Sequence, residues 1–137
     1  MYKSRFSCTN HFAERAGYHH DVRFRKPSSK KWDSFATKKD NPLTTGKKIM
    51  LVRTTEHREK EALYVGVVEK GYGKGRIEVF DEGDCNIIKY TFNHIVIEFL
   101  GKKIKGFYHF LNTGVIDREY DKEQYLFFKA KEKYRGD

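Results

Sequence analysis

Residues that bind metals and phosphates alternate along one short segment near the start of the chain. His19, Asp21, Arg23 and Arg25 follow one another at every second position. In a β-strand such positions share one face and lie about 6–7 Å apart along the backbone. The alternation therefore predicts that His19 and Asp21 can hold one divalent cation, with Arg23 beside it.

The chemistry that these side chains support is phosphoester chemistry. A cation held by imidazole and carboxylate polarises a phosphoryl oxygen and activates water. The guanidinium of Arg23 can grip two phosphate oxygens at once. Mixed nitrogen and oxygen donors suit Mn²⁺ or Zn²⁺ better than Ca²⁺ or Mg²⁺. A third ligand is needed, and His11 is the nearest imidazole along the chain.

The spacing of these residues also leaves a second interpretation open. A surface strand places His and Asp on one face equally well, where they pair with neighbouring side chains and with solvent. His20 falls on the opposite face, so we expect it to face the core or to support a ligand rather than to bind the cation.

The elements that position these residues are predicted to be short strands separated by turns. Runs of β-branched and aromatic residues at close spacing are typical of an antiparallel barrel or sandwich. The predicted strands cover 19–24, 49–54, 62–68, 76–80, 87–92, 94–100, 104–111 and 125–131. Residues 10–16 are expected to form a helical turn or an ordered loop, and turns are expected at 82–84 and 113–114. The fold class is mainly β, a compact antiparallel β-barrel with short helical segments.

Length and composition indicate one basic domain over residues 1–137. The balance of 28 Lys and Arg against 19 Asp and Glu gives a net charge of +9. This charge favours a polyanion such as nucleic acid, although a basic protein without such a partner is the alternative. We expect reduced cysteines at Cys8 and Cys85, no signal peptide, no membrane partner, a cytoplasmic location and a monomer.

The segment around His19 resembles the 3′-phosphoesterase domain of bacterial DNA ligase D. That family's signature reads His-x-Ala, followed by Leu-His-Tyr-Asp-Phe-Arg-Leu. Here it appears as His11-Phe12-Ala13, then Tyr18-His19-His20-Asp21-Val22-Arg23-Phe24. Further segments that resemble the family, in the same order, are 34–40, 52–57, 71–75, 79–83, 105–110 and 126–131. The resemblance thus extends over nearly the whole chain, and we expect a stand-alone relative of the ligase domain.

The resemblance implies a compact β-barrel with a crescent-shaped groove. It implies Mn²⁺-dependent removal of a 3′-phosphate, and of a 3′-terminal ribonucleotide, from a primer strand, with Zn²⁺ or Co²⁺ as alternative cations. The partners that it implies are DNA or RNA 3′ ends in a primer–template, together with a separate DNA ligase or polymerase.

Site residues follow from the resemblance position by position. His11, His19 and Asp21 would be the metal ligands. Arg23 would bind the scissile phosphate, and His57 would contact that phosphate as a transition-state stabiliser or general acid.

Some positions depart from the family pattern. Lys39 is not one of them, because it falls where the family has a lysine that supports the site. A family arginine falls on Ile49, so Lys48 or Arg53 is the candidate to replace it. A family tyrosine falls on Glu61. These departures bear on ribonucleotide removal more than on metal or phosphate binding.

Two other functions stay open on the sequence. A nucleic-acid-end binding module that has lost catalysis would account for the departures at Ile49 and Glu61. A metal-dependent hydrolase of another phosphoester, such as a cyclic phosphate or a small nucleotide, would use the same ligands.

Overall fold

Antiparallel strands make up most of the computed structural model, which describes residues 1–15, 17–38, 46–71 and 74–131. A single turn of helix accompanies the strands within these ranges. In chain order the elements are β1 (Tyr2–Ala13), β2 (Gly17–Arg25), β3 (Lys31–Thr37), β4 (Ile49–Arg53), β5 (His57–Arg58), α1 (Glu59–Ala62), β6 (Gly66–Val68), β7 (Gly75–Tyr90), β8 (His94–Leu100), β9 (Lys105–Asp117) and β10 (Lys122–Lys129).

Eight of these strands close into a barrel. The order of hydrogen-bonded neighbours is β1-β2-β3-β4-β10-β9-β8-β7, and β7 pairs with β1 to complete the circle. The two short strands lie outside the circle, β5 beside β3 and β6 beside β7. The predicted antiparallel β-barrel is therefore confirmed. Within the described ranges, no helix has the length and apolar character needed to cross a membrane.

Aromatic rings fill the interior of the barrel. Phe24, Phe35, Phe110 and Phe127 are fully buried, and the ring centroids of Phe35 and Phe110 lie 4.8 Å apart. The same separation joins Phe110 to Phe127. Eight-stranded barrels have an interior just wide enough for side chains to fill, and large rings supply that volume with few voids. The barrel is thus a packed core rather than a channel.

Two free cysteines belong to this interior. Cys8 and Cys85 are both buried and unbonded to each other, as expected from the sequence. Burial raises the pKa of the Cys85 thiol to about 12. The thiols therefore act as small apolar side chains at neutral pH.

Several predicted turns are wrong because long-range pairing continues through them. β7 passes through 82–84, where Gly83 pairs with Phe6 on β1. β9 likewise passes through Gly114 before the hairpin that leads to β10. A glycine signals a turn only locally, whereas a continuous partner strand holds the chain extended. Bulges absorb the change of register, one of them between Cys8 and Thr9.

Two strands of the barrel are absent from the sequence-based prediction. β1 includes residues 10–13, which were expected to form a helical turn or loop, and β3 was not predicted. Both strands bury polar side chains, among them Ser7, Thr9 and Ser34, so the alternation of apolar and polar residues is weak. The predicted strand over 62–68 divides into the end of α1 and β6.

A tight turn over residues 101–104 closes against Asp81. The carboxylate accepts hydrogen bonds from the backbone nitrogens of Lys103 at 2.9 Å and Ile104 at 2.8 Å. Burial works against its charge, but these backbone donors hold the pKa of Asp81 below its usual range. Gly101 permits this approach, because a Cβ there would lie 2.2 Å from Asp81 Oδ2 and 2.7 Å from Phe6 Cζ.

Gly101→Ala is therefore expected to lower the free energy of unfolding by about 3 kcal/mol, the upper range for overpacking. Gly114→Ala is the control. Its methyl group would meet nothing within 4 Å, and φ is +79°. It should cost only about 1 kcal/mol of backbone strain. Equal losses in urea denaturation would show that the turn tolerates a side chain.

Candidate metal and phosphate site

Three potential metal ligands meet on the outer face of the β1–β2 hairpin. His11 and His19 lie opposite each other in the strand register, with ring centroids 4.5 Å apart. Asp21 is two residues further along β2, and its Oδ2 lies 3.5 Å from His19 Nε2. One ligand atom from each residue lies within 4.8 Å of the other two. The structure thus brings together all three residues that the sequence analysis named as ligands.

The electrostatics of Asp21 fit a bound cation. The residue is 4% exposed, and its Oδ2 has no hydrogen-bond partner among the residues that the structure describes. Thr9 pairs with Asp21 in the strand register, and its buried hydroxyl likewise has no hydrogen-bond partner among the described residues. A buried oxygen without a partner is costly, and a divalent ion held by two imidazoles and a carboxylate would satisfy it. The donor set therefore fits Mn²⁺ or Zn²⁺.

The charges around Asp21 support its ionised form. Burial opposes the charge, but the neighbouring His19 imidazole and the Arg23 guanidinium keep the pKa of Asp21 below its usual range. Burial likewise opposes protonation of His19, yet the Asp21 carboxylate raises the pKa of His19. A cation at this place would take over the positive charge that a His19 proton otherwise supplies.

Arg23 occupies the next outward position on β2 and is held firmly. Its Nε donates to Ser34 Oγ at 3.0 Å, and its Nη1 donates to the Ala62 carbonyl at 3.4 Å. Its Nη2 lies 3.8 Å from Asp21 Oδ2. The guanidinium is therefore anchored by β3 and α1 and directed towards the candidate metal position.

Buried residues outside the barrel, Trp32 and Ala62, bring His57 to the face that carries Arg23. Trp32 on β3 is fully buried and pairs with His57 in the register of β5. Ala62 of α1 is also fully buried, and α1 packs against β3. His57 is half-buried. Burial and the nearby Arg23 guanidinium lower the pKa of His57, which favours its neutral imidazole.

A groove of about 870 Å³ joins these residues to α1 and β6. The groove is lined by His11, Arg23 and His57, and also by Lys60 and Tyr64. Volumes of this order are usual for sites that bind small organic molecules. The groove therefore places candidate ligands, a guanidinium and an imidazole around one space.

Two other residues proposed for catalysis lie elsewhere. Arg53 pairs with Phe35, which puts it inside the barrel, whereas Arg23 pairs with Ser34 on the outer face. Lys48 is exposed, and its Nζ lies 4.9 Å from the ring centroid of Phe128 on β10. Neither residue is among the described residues that line the groove. Neither therefore takes the place of the family arginine in this site.

Arg53 instead belongs to a polar network within the barrel. It donates to Asp33 Oδ2 at 3.1 Å, to Tyr125 Oη at 2.9 Å and to Tyr90 Oη at 3.2 Å. Tyr90 in turn donates to Asp33 at 2.6 Å. Burial opposes the charge, but Asp33 raises the pKa of Arg53 above its ordinary value. Lys39, the remaining candidate, lies outside the described residues.

The sequence analysis missed the residues that orient the site. Ser34 and the Ala62 carbonyl hold Arg23 by hydrogen bonds, and Trp32 supports His57. A prediction of β3 would have found Ser34, because it lies directly opposite Arg23 in the register of β2. The contact with Ala62 carries no local signal, since 39 residues separate it from Arg23.

Asp21→Asn is expected to weaken Mn²⁺ binding at least tenfold, because it removes the charged ligand while keeping its size. Electron paramagnetic resonance of free Mn²⁺ measures the bound fraction directly. Glu82→Gln, at an exposed carboxylate on β7, is the matched control and should bind like wild type. Equal affinity for the two variants would remove Asp21 from the ligand set.

Arg53→Met is expected to lower the free energy of unfolding by about 3 kcal/mol, because Asp33 would stay buried without its cation. Its Mn²⁺ affinity should not change. Arg58→Met removes an exposed ion pair with Glu61 and should cost less than about 1 kcal/mol. If the Arg53→Met protein is fully stable but binds Mn²⁺ poorly, Arg53 belongs to the metal and phosphate site and not to the structural network.

Comparison with known proteins identifies the family of this chain. The family model described as the DNA ligase D 3′-phosphoesterase domain matches residues 9–112, a range that includes His11, Arg23 and His57. A comparison with curated proteins finds no match. The matched range covers most of the 137 residues. The chain therefore belongs to the DNA ligase D 3′-phosphoesterase domain family.

Proposed function

We propose that this protein is a metal-dependent phosphoesterase that removes the 3′-phosphate from a DNA or RNA strand and leaves a 3′-hydroxyl. One observation carries the proposal: the ligand atoms of His11, His19 and Asp21 converge beside Arg23 and His57. Membership of the family supports a role of the 3′-phosphoesterase type. A 3′-terminal ribonucleotide is the second substrate that we propose.

The cation that we propose is Mn²⁺, with Zn²⁺ or Co²⁺ as alternatives, held by His11, His19 and Asp21. When bound, it polarises a phosphoryl oxygen and supplies a water of lowered pKa. The buried Oδ2 of Asp21, which accepts no hydrogen bond from the described residues, supports this assignment.

Arg23 binds the phosphate that is to be removed. Its Nε and Nη1 are engaged by Ser34 and Ala62, so the guanidinium cannot rotate away. Its Nη2 faces the metal ligands and is the donor for a phosphoryl oxygen. A donor fixed before the reaction stabilises the charge that develops in the transition state without reorganisation.

His57 lines the same groove as Arg23 and serves the same phosphate. Burial and Arg23 lower its pKa, which favours the neutral imidazole in the free protein. A bound phosphate dianion would oppose that shift and favour the protonated ring. His57 then donates a hydrogen bond to the phosphate, or a proton to the leaving 3′-oxygen.

The rest of the groove accepts the end of the strand. Lys60 and Lys70 line it and would contact phosphate, and the half-exposed ring of Tyr64 offers a face to a terminal base. The net charge of +9 favours association with nucleic acid in general. Because a 3′-hydroxyl is what polymerases extend and ligases join, a separate enzyme of either kind is the partner that we propose.

The direct test is a Mn²⁺ titration with a labelled primer–template that ends in a 3′-phosphate. Wild type is expected to convert the end to a 3′-hydroxyl, and His19→Ala should be at least a hundredfold slower because the cation is lost. The control is His94→Ala on β8, whose imidazole hydrogen-bonds to His109 at 2.8 Å. It should match wild type.

Two results would overturn the proposal in different ways. Binding of the primer–template without turnover in Mn²⁺, Zn²⁺ or Co²⁺ would make the protein a nucleic-acid-end binding module. Faster hydrolysis of a 2′,3′-cyclic phosphate than of the 3′-phosphate would indicate a hydrolase of another phosphoester.

A further inference from the structure

A second basic pocket lies on the outer face of the barrel, away from the metal ligands. It has a volume of about 550 Å³ and is lined by Lys3 and Arg5 of β1, Arg25 of β2 and Asp84 of β7. The cationic side chains outnumber the single carboxylate. The pocket therefore has the charge of an anion-binding site.

Strand geometry connects this pocket to the phosphate site. Arg25 follows Arg23 by two residues on β2, so both side chains leave the same face of the sheet, about 6–7 Å apart. Phe6 pairs with Phe24, which brings the next residues of the two strands, Arg5 and Arg25, side by side on that face. A line of guanidinium groups thus runs from Arg23 into the pocket.

The three cations of the pocket form no ion pair with the described residues. Within the described part of the chain, no ion pair or side-chain hydrogen bond engages the charged groups of Lys3, Arg5 or Arg25. Arg5 even lies opposite Asp84 in the strand register without approaching it within ion-pair distance. Other arginines of the protein, such as Arg53, do form ion pairs. Three cations beside a single carboxylate repel one another, and a bound anion reduces that cost.

We infer that Lys3, Arg5 and Arg25 bind a backbone phosphate of the nucleic acid strand whose 3′ end lies at Arg23. This inference rests on the proposed function and adds the path of the strand to it. Successive outward side chains on one β-strand are spaced much like successive phosphates of an extended nucleic acid strand. The strand therefore places its last nucleotide in the groove and runs along β2 in the 5′ direction.

The arginines of the pocket suit this ligand. A phosphodiester offers two unesterified oxygens, which a guanidinium fork can bind together. Such contacts hold the strand in position without reading its sequence. The pocket should thus raise affinity for long substrates of any sequence and leave the chemistry at Arg23 unchanged.

The test compares a 12-nucleotide strand with thymidine 3′-phosphate, which is too short to reach the pocket. In the double variant Arg5→Gln/Arg25→Gln, the dissociation constant of the 12-mer should rise about tenfold or more. The slope of log K against log salt should fall by about 0.7, because one phosphate contact of a single strand is lost. Turnover of thymidine 3′-phosphate with Mn²⁺ should stay at the wild-type rate. The control is Lys122→Gln, at an exposed lysine on β10, which β3 and β4 separate from the pocket. It should change neither 12-mer binding nor thymidine 3′-phosphate turnover.

Binding of the 12-mer is measured by fluorescence anisotropy in EDTA, so the result does not depend on catalysis. An unchanged salt slope would overturn the second phosphate site, even if wild type is an active phosphoesterase. A reduced slope in a protein without turnover would keep the site and overturn the proposed function.

A fold defect has its own signature. It would weaken thymidine 3′-phosphate turnover and 12-mer binding alike, and it would lower the thermal midpoint. Lys3→Gln, a substitution of one exposed lysine, should weaken 12-mer binding while leaving the thermal midpoint unchanged. If Lys3→Gln leaves the dissociation constant of the 12-mer unchanged, the inference is wrong.

Discussion

The closed barrel determines which side chains can take part in chemistry. Because β7 returns to β1, every residue of these strands faces either a packed interior or the outer surface. Phe24 and Phe35 fill the interior, whereas Asp21 and Arg23 point outwards from the same stretch of β2. The buried aromatic side chains fix the backbone of these strands. The outward side chains of the site are therefore held in place as well, since each follows a buried neighbour on the same strand. Preorganised sites need this kind of support.

The site itself depends on one costly charge. Asp21 is almost fully buried, and one of its oxygens has no hydrogen bond. His19 and Arg23 offset part of this cost, and the cation that we propose would offset the rest. The elements that bury the site also orient it. Ala62 of α1 accepts a hydrogen bond from Arg23, and Trp32 pairs with His57 in the strand register. A less buried site would cost less free energy to fold, but water would weaken the attraction between its cations and the phosphate that we propose as its ligand.

Sequence reasoning predicted the alternation of β2 and hence the shared face of His19, Asp21 and Arg23. It did not predict β1, where buried serines and threonines hide the pattern, so His11 entered only as the nearest imidazole and through the family resemblance. Arg53 and Arg23 look equally able to bind phosphate in the sequence. Only the strand register separates them, because it turns Arg53 inwards to Asp33. Contacts between distant segments, such as Arg23 with Ala62, leave no local trace.

The most direct measurement is anomalous X-ray diffraction at the manganese absorption edge, from crystals grown with Mn²⁺ and a 3′-phosphorylated oligonucleotide. The account predicts one strong peak bounded by His11, His19 and Asp21, about 2.0–2.3 Å from each ligand atom. It also predicts the terminal phosphate between that peak and Arg23. A phosphate bound at Arg23 without a manganese peak, or a peak at another place such as the His94–His109 pair, would contradict it.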